Sequence, residues 1–190
     1  MAFRIEPITG DLIDDMGRLL STDRAACGCW CMWFIIPVKD YHRAGSAGNR
    51  ASFCDLMASS EQPLGLLAYQ EGEPVGWCAV GPRSRYGRAL KTPTYQGRDP
   101  REDDSVWLVP CFYVRREARR AGLGETLLQS AVGLANEHGA RAIEGFPFTA
   151  GKRRSSDTQV GFEALFSACG FQAIRTPSPS RVVMRRELTG

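Results

Sequence analysis

Phe3, Ile5 and Ile8 alternate with polar residues, which predicts a short first strand. Leu12, Ile13, Met16, Leu19 and Leu20 then recur at helical spacing, with Asp11, Asp14 and Asp15 at the helix start, where carboxylates complement the dipole. A second helix is predicted over roughly 49–58, with Phe53, Leu56 and Met57 on one face. Leu64–Tyr69 and Val75–Val80 read as strands, joined into a hairpin by the turn Gln70-Glu-Gly-Glu-Pro74. The apolar run Val106–Val114 is the central strand, and the helix after it carries Leu123, Leu127, Leu128, Ala131, Leu134 and Ala135 on one stripe. Arg141–Phe148 is the next strand, cut short by Pro147. Phe162, Leu165, Phe166 and Cys169 mark a further helix, ended by Gly170. Phe171–Thr176 and Arg181–Leu188 are the last two strands.

Two stretches fall outside this periodicity. Arg83–Ser105 is polar and rich in Gly, Pro, Arg and Asp; a loop of that length is a lid over a site or a solvated excursion, and its composition favours the second. Gly151–Gln159 carries Lys152, Arg153 and Arg154, a solvent-facing run that could also meet a phosphate. With 190 residues and no linker or repeat, the chain is expected to form a single domain over 1–190.

Composition narrows the classes. A chain with 43% hydrophobic and 24% charged residues is an ordinary globule, and its net charge of +3 owes much to the arginines of one turn. No extended basic stripe calls for nucleic acid. The longest apolar stretch, Cys29–Val38, is too short to span a bilayer, and the N-terminus lacks the apolar run of a signal peptide, so no membrane partner and a cytoplasmic location are expected. The seven cysteines are then reduced thiols. Cys27-Gly-Cys29-Trp-Cys31 invites a zinc reading, but no second pair of ligands accompanies it, and buried thiols fit better.

The chemistry concentrates between Val114 and the following helix. Arg115, Arg116, Arg119 and Arg120 bring positive charge, Gly122 and Gly124 allow close backbone approach, and a helix start offers unpaired amides and the positive end of its dipole. Such a turn receives a phosphate or pyrophosphate. The dinucleotide fingerprint Gly-x-Gly-x-x-Gly and the P-loop Gly-Lys-Ser/Thr are both absent. What stands here, Arg119-Arg-Ala-Gly122-Leu-Gly124, resembles the Arg/Gln-x-x-Gly-x-Gly/Ala motif of the GNAT N-acetyltransferases, and Leu165-Phe-Ser-Ala-Cys-Gly170-Phe171 resembles that family's Leu-Tyr-x-x-x-Gly-Phe.

The element order agrees over nearly the whole chain. The resemblance implies a mixed α/β fold: a twisted, mostly antiparallel sheet of about seven strands with helices on both faces. It also implies acetyl-CoA as co-substrate, with no metal. Backbone groups of Phe112 and Val114 would bond the pantetheine, and the amides of Arg119, Arg120, Ala121, Gly122, Leu123, Gly124, Glu125 and Thr126 would hold the pyrophosphate.

The acceptor side is less determined. Leu108, Phe166 and Gln159 stand where relatives often carry a Glu base, a Tyr acid and an Asn. Glu144, a carboxylate in an otherwise apolar strand, is a candidate general base if burial raises its pKa, and a salt-bridge partner otherwise. Cys111 could carry the acyl group as a thiolate or be a structural thiol; Tyr113 and Asp104 are weaker candidates, and positioning with water relaying the proton is a further route. Trp30 and Trp33 lie in a stretch that forms part of the acceptor pocket or a packed connector. The expected reaction is transfer of an acetyl group to a small-molecule amine. A peptide acetyltransferase and a coenzyme-A-binding sensor without activity are the alternatives, and a homodimer is left open.

Overall fold

A computed structural model describes residues 3–23, 26–149 and 159–189. Seven strands form one sheet: β1 (Arg4–Pro7), β2 (Gly65–Gln70), β3 (Glu73–Pro82), β4 (Val106–Val114), β5 (Ala142–Gly145), β6 (Gln172–Ser178) and β7 (Arg181–Glu187). Their order is β1-β2-β3-β4-β5-β7-β6, and every neighbouring pair is antiparallel except β4 with β5. Helices α1 (Ile13–Leu20) and α2 (Val38–Ser59) cover one face, where Met16, Leu19 and Phe53 meet Leu67, Trp77 and Tyr113. Helices α4 (Leu123–Glu137) and α5 (Glu163–Ala168) cover the other, where Leu127, Leu128 and Phe166 meet Cys78, Val109 and Phe112. The expected sheet with helices on both faces is therefore present.

Local differences have physical causes. Helix α2 begins eleven residues earlier than its apolar stripe suggested, because the first part, up to a kink at Gly45, is largely polar and partly exposed. Strand β5 stops at Gly145, ahead of Pro147, and Phe148 keeps only isolated bridges.

Arg83–Ser105 corrects the favoured reading. It is no solvated excursion: Arg83 begins a short helical turn, Gly87–Leu90 forms helix α3, and Tyr86, Leu90 and Tyr95 pack into a third core with Leu108, Phe146 and Phe148. The segment caps the sheet where β4, β5 and β7 meet. Lys152, Arg153 and Arg154 lie outside the described residues.

Candidate active site

The central strand changes hand part-way. Trp107 and Val109 face the α4 side and Leu108 the cap, but beyond Pro110 it is Phe112 that faces α4 while Cys111 and Tyr113 face α1 and α2. One extra residue causes this: Ala79 pairs with Cys111 and Gly81 with Leu108, two steps along β3 against three along β4. Proline has no N–H to give a ladder, so it suits the bulge.

On the other edge, β4 and β5 are paired from Val106 with Ala142 to Val109 with Gly145, and the ladder ends there. The amide of Arg115 donates to Val75 O at 2.9 Å, towards β3. Backbone groups alternate between the two edges of a strand, so those of Phe112 and Val114 point to the edge that β5 has left. The Val114 carbonyl already accepts from Arg119 Nε at 3.0 Å. That leaves the Val114 amide and both groups of Phe112 on the open edge.

The turn beyond β4 is tied to the same edge by that Arg119 bond. Arg120 and Gly122 both have positive φ, of 69° and 80°, and Gly122 is the N-cap of α4. No side chain caps this helix; of the amides expected to hold the pyrophosphate, the two outermost are already paired, Arg119 N with Arg116 O at 3.3 Å and Thr126 N with Gly122 O at 3.1 Å. Among the described residues no backbone carbonyl accepts from the amides of Arg120 to Glu125. Exposed Arg116 and Arg120 flank them, whereas Arg119 is turned back onto Val114 and half-buried Arg115 lies near Glu117. The unpaired amides, the dipole and the two exposed cations fit a pyrophosphate.

Glu144 is not a lone carboxylate, and the premise of the general-base reading is corrected. It is 2% exposed, and Arg83 Nη1 donates to both of its oxygens at 3.2 Å, with Arg185 Nη1 at 3.4 Å from Oε1. Arg83, itself 1% exposed, also donates to Asp103 at 2.7 Å and to the Asp99 carbonyl at 2.8 Å. Arg98 joins Asp103, and Arg185 joins Glu102 at 2.9 Å. The network ties the cap to β5 and β7. The salt-bridge alternative is what the fold contains.

Cys111 stands just past the bulge, 5% exposed, and its thiol is held well above the ordinary range by the hydrogen bond with Cys31 and then by burial. Cys31 also accepts from Trp77 Nε1 at 3.0 Å. A thiol held protonated makes a poor acyl carrier. All seven cysteines are free thiols, and among the described residues no group of three or more His, Cys, Asp or Glu is placed to hold a metal ion.

The two tryptophans part company. Trp30 and Cys31 are both in the left-handed region, with φ of 47° and 53°, so the chain reverses between Trp30 and Trp33. Trp30 is 7% exposed, packed near Phe53 and against Gly17, and belongs to the connector core rather than to an acceptor wall. Trp33 is half-buried, edge-on to Tyr41, with the Arg88 guanidinium 3.6 Å above its ring.

Other candidates are placed as follows. Tyr113 shares a hydrogen bond of 2.8 Å with Thr22, Asp104 is exposed, and Phe166 is fully buried against Phe171. The sequence reading missed Arg83, Arg88 and Arg185. A signal existed for the first two, since Tyr86, Ala89 and Leu90 recur at i, i+3 and i+4.

Among solved structures of similar fold, an N-acetyltransferase from Staphylococcus aureus Mu50 superposes with a TM-score of 0.59 at 13% identity, covering 100% of both chains. An acetyltransferase from Thermus thermophilus gives 0.57 at 16%, covering 99% of this chain and 98% of its own. The PaiA N-acetyltransferase from Thermoplasma acidophilum, solved in complex with coenzyme A, gives 0.56 at 12%, covering 99% of this chain and 100% of its own. No curated protein matches by sequence. The model of the Acetyltransferase (GNAT) family matches residues 30–153, which span the connector, the bulged central strand and the α4 turn. With the sheet opened beside an uncapped helix and a family match over well over half its length, this chain belongs to the GNAT acetyltransferases.

Proposed function

We propose that the protein is an acetyl-CoA-dependent N-acetyltransferase that moves the acetyl group directly to the amine of a small molecule. The observation that carries this reading is the ending of the β4–β5 ladder at Val109 and Gly145 beside the unpaired amides at the start of α4. Those amides, with Arg116 and Arg120, would hold the pyrophosphate. Phe112 and the Val114 amide would hold the pantetheine arm as a missing strand would be held.

In the reaction, the amine nitrogen attacks the thioester carbonyl, an N–C bond forms, and the C–S bond breaks. The amine proton passes to water and the sulfur leaves as a thiolate that solvent protonates. The chain contributes alignment of the two reactants, which can supply about 7–11 kcal/mol of such an acceleration. Direct transfer is favoured because the Cys111 thiol is buried and held protonated.

A small acceptor is favoured over a peptide because the cap packs Tyr86, Leu90 and Tyr95 onto Phe146 and Phe148, beside the opening. The sensor reading draws support from Glu144 being ion-paired and Phe166 being buried. Thioester consumption with a panel of small amines and peptides decides among them. Turnover confined to small amines is expected; coenzyme A binding without turnover on any amine would make the chain a sensor.

A further inference from the structure

The cap contains five arginines, and four are accounted for. Arg83, Arg98 and Arg101 each hold a carboxylate. Arg85 donates to the carbonyls of Gln62, Pro63 and Val80. Arg88, on α3, is different. Its guanidinium is half-buried, stacks on Trp33, and donates through Nη1 to the Trp33 carbonyl.

Among the described residues, the acidic groups that act on Arg88 are the Cys29 thiol and the Tyr41 hydroxyl. Neither is an anion at neutral pH. Burial, with the neighbouring Cys31, pushes the Cys29 thiol up to about 11, and burial raises the Tyr41 hydroxyl well above its ordinary value. Desolvation pulls Arg88 down, as expected for a cation drawn out of water that has no carboxylate partner among the described residues. A guanidinium has five N–H donors, and one stacked on a ring keeps its edge free for a planar, two-oxygen acceptor.

The surroundings set the place. The rings of Tyr41 and His42 lie 5.2 and 6.1 Å from that of Trp33, forming an aromatic wall. Phe34, the next residue, packs edge-on to Phe146 at 5.7 Å, and Phe146 directly follows β5 where the ladder has opened. The cation and the opening therefore lie on the same capped side of the sheet.

We propose that Arg88 binds a carboxylate carried by the acceptor, so that the acceptor is an amino acid or similar amino-carboxylic compound rather than a simple amine. The proposal rests on the acetyl-transfer reading, but its test does not require turnover. Calorimetric titration in the presence of coenzyme A compares amino acids of graded amine-to-carboxylate separation with their carboxamides. Wild type binds at least one acid about tenfold or more tightly than its amide, as for a charge-assisted bidentate pair. Arg88→Gln removes that preference, and Arg88→Lys, which keeps the charge without the planar edge, retains part of it.

Equal affinity of acid and amide, no binding of any acid, or an unchanged preference in Arg88→Gln overturns the proposal. If Arg88 merely staples the cap, acid and amide weaken together in Arg88→Gln and their ratio stays; that too overturns it. Failure of the acetyl-transfer reading shows separately, as coenzyme binding without thioester consumption.

Discussion

Replacing Glu144 by Gln separates a structural carboxylate from a catalytic one. The substitution keeps the shape and one acceptor oxygen but removes the charge between Arg83 and Arg185. In the wild type four guanidinium groups, of Arg83, Arg98, Arg141 and Arg185, face four carboxylates, of Glu102, Asp103, Glu144 and Glu187. The variant leaves one positive charge in excess around a buried Arg83. Breaking a buried pair from one side costs about 3–5 kcal/mol. Asp103, 2.7 Å from Arg83, remains in place, so the lower end applies. For a chain of this size 1 kcal/mol moves Tm by about 2–4 °C, and the expected fall is about 6–12 °C.

Calorimetric or circular-dichroism melting measures it, and a double-mutant cycle with Arg83→Met should show a coupling above about 1 kcal/mol. Below the transition, kcat on a turned-over amine should stay within about threefold of wild type, a change small on the scale of removing a general base. A Tm unchanged within about 2 °C together with a roughly hundredfold loss of kcat would refute this reasoning and return Glu144 to the role of base.

Three other outcomes are expected. Gly122→Val should weaken coenzyme A binding about tenfold or more in a direct titration, because φ of 80° is costly for a β-branched residue although no neighbour would clash; Gly122→Asn should be milder. Cys111→Ala should keep most of the turnover, and no acetylated enzyme should be trapped by mass spectrometry; an accumulating thioester on Cys111 would reverse that. Arg185 holds Glu102 below its ordinary value of 4.5, so its stabilisation is complete above that pH and is lost as pH falls through the lowered folded value. Wild type should therefore lose more Tm on acidification below about pH 4.5 than Glu102→Gln does, and parallel curves would refute the assignment.

Much of this protein is written locally. Strand β4, the basic turn and α4 are contiguous, so apolar periodicity and two glycines were enough to place the strand, the turn and the helix start. The same holds for the C-terminal stripe Phe162 to Gly170, whose glycine takes φ of 82°. These features depend on backbone preference and on spacing within a few residues.

What tertiary structure decided concerns side chains that meet across long separations. Glu144 finds Arg83 from 61 residues away and Arg185 from 41, because Pro82 pairs with Trp107, Leu108 with Glu144 and Glu144 with Arg185 across four strands. Trp30 and Trp33 are alike in sequence context, yet two consecutive left-handed residues send one into the core and leave the other beneath Arg88. The cap looked like solvated chain because its polar residues outnumber its apolar ones; a few rings and one buried ion network anchor it all the same. Local pattern determined the strand, turn and uncapped helix start at which we propose the donor's phosphates bind, whereas only the register between distant strands and the packing of the cap determined what lies beside the opening of the sheet.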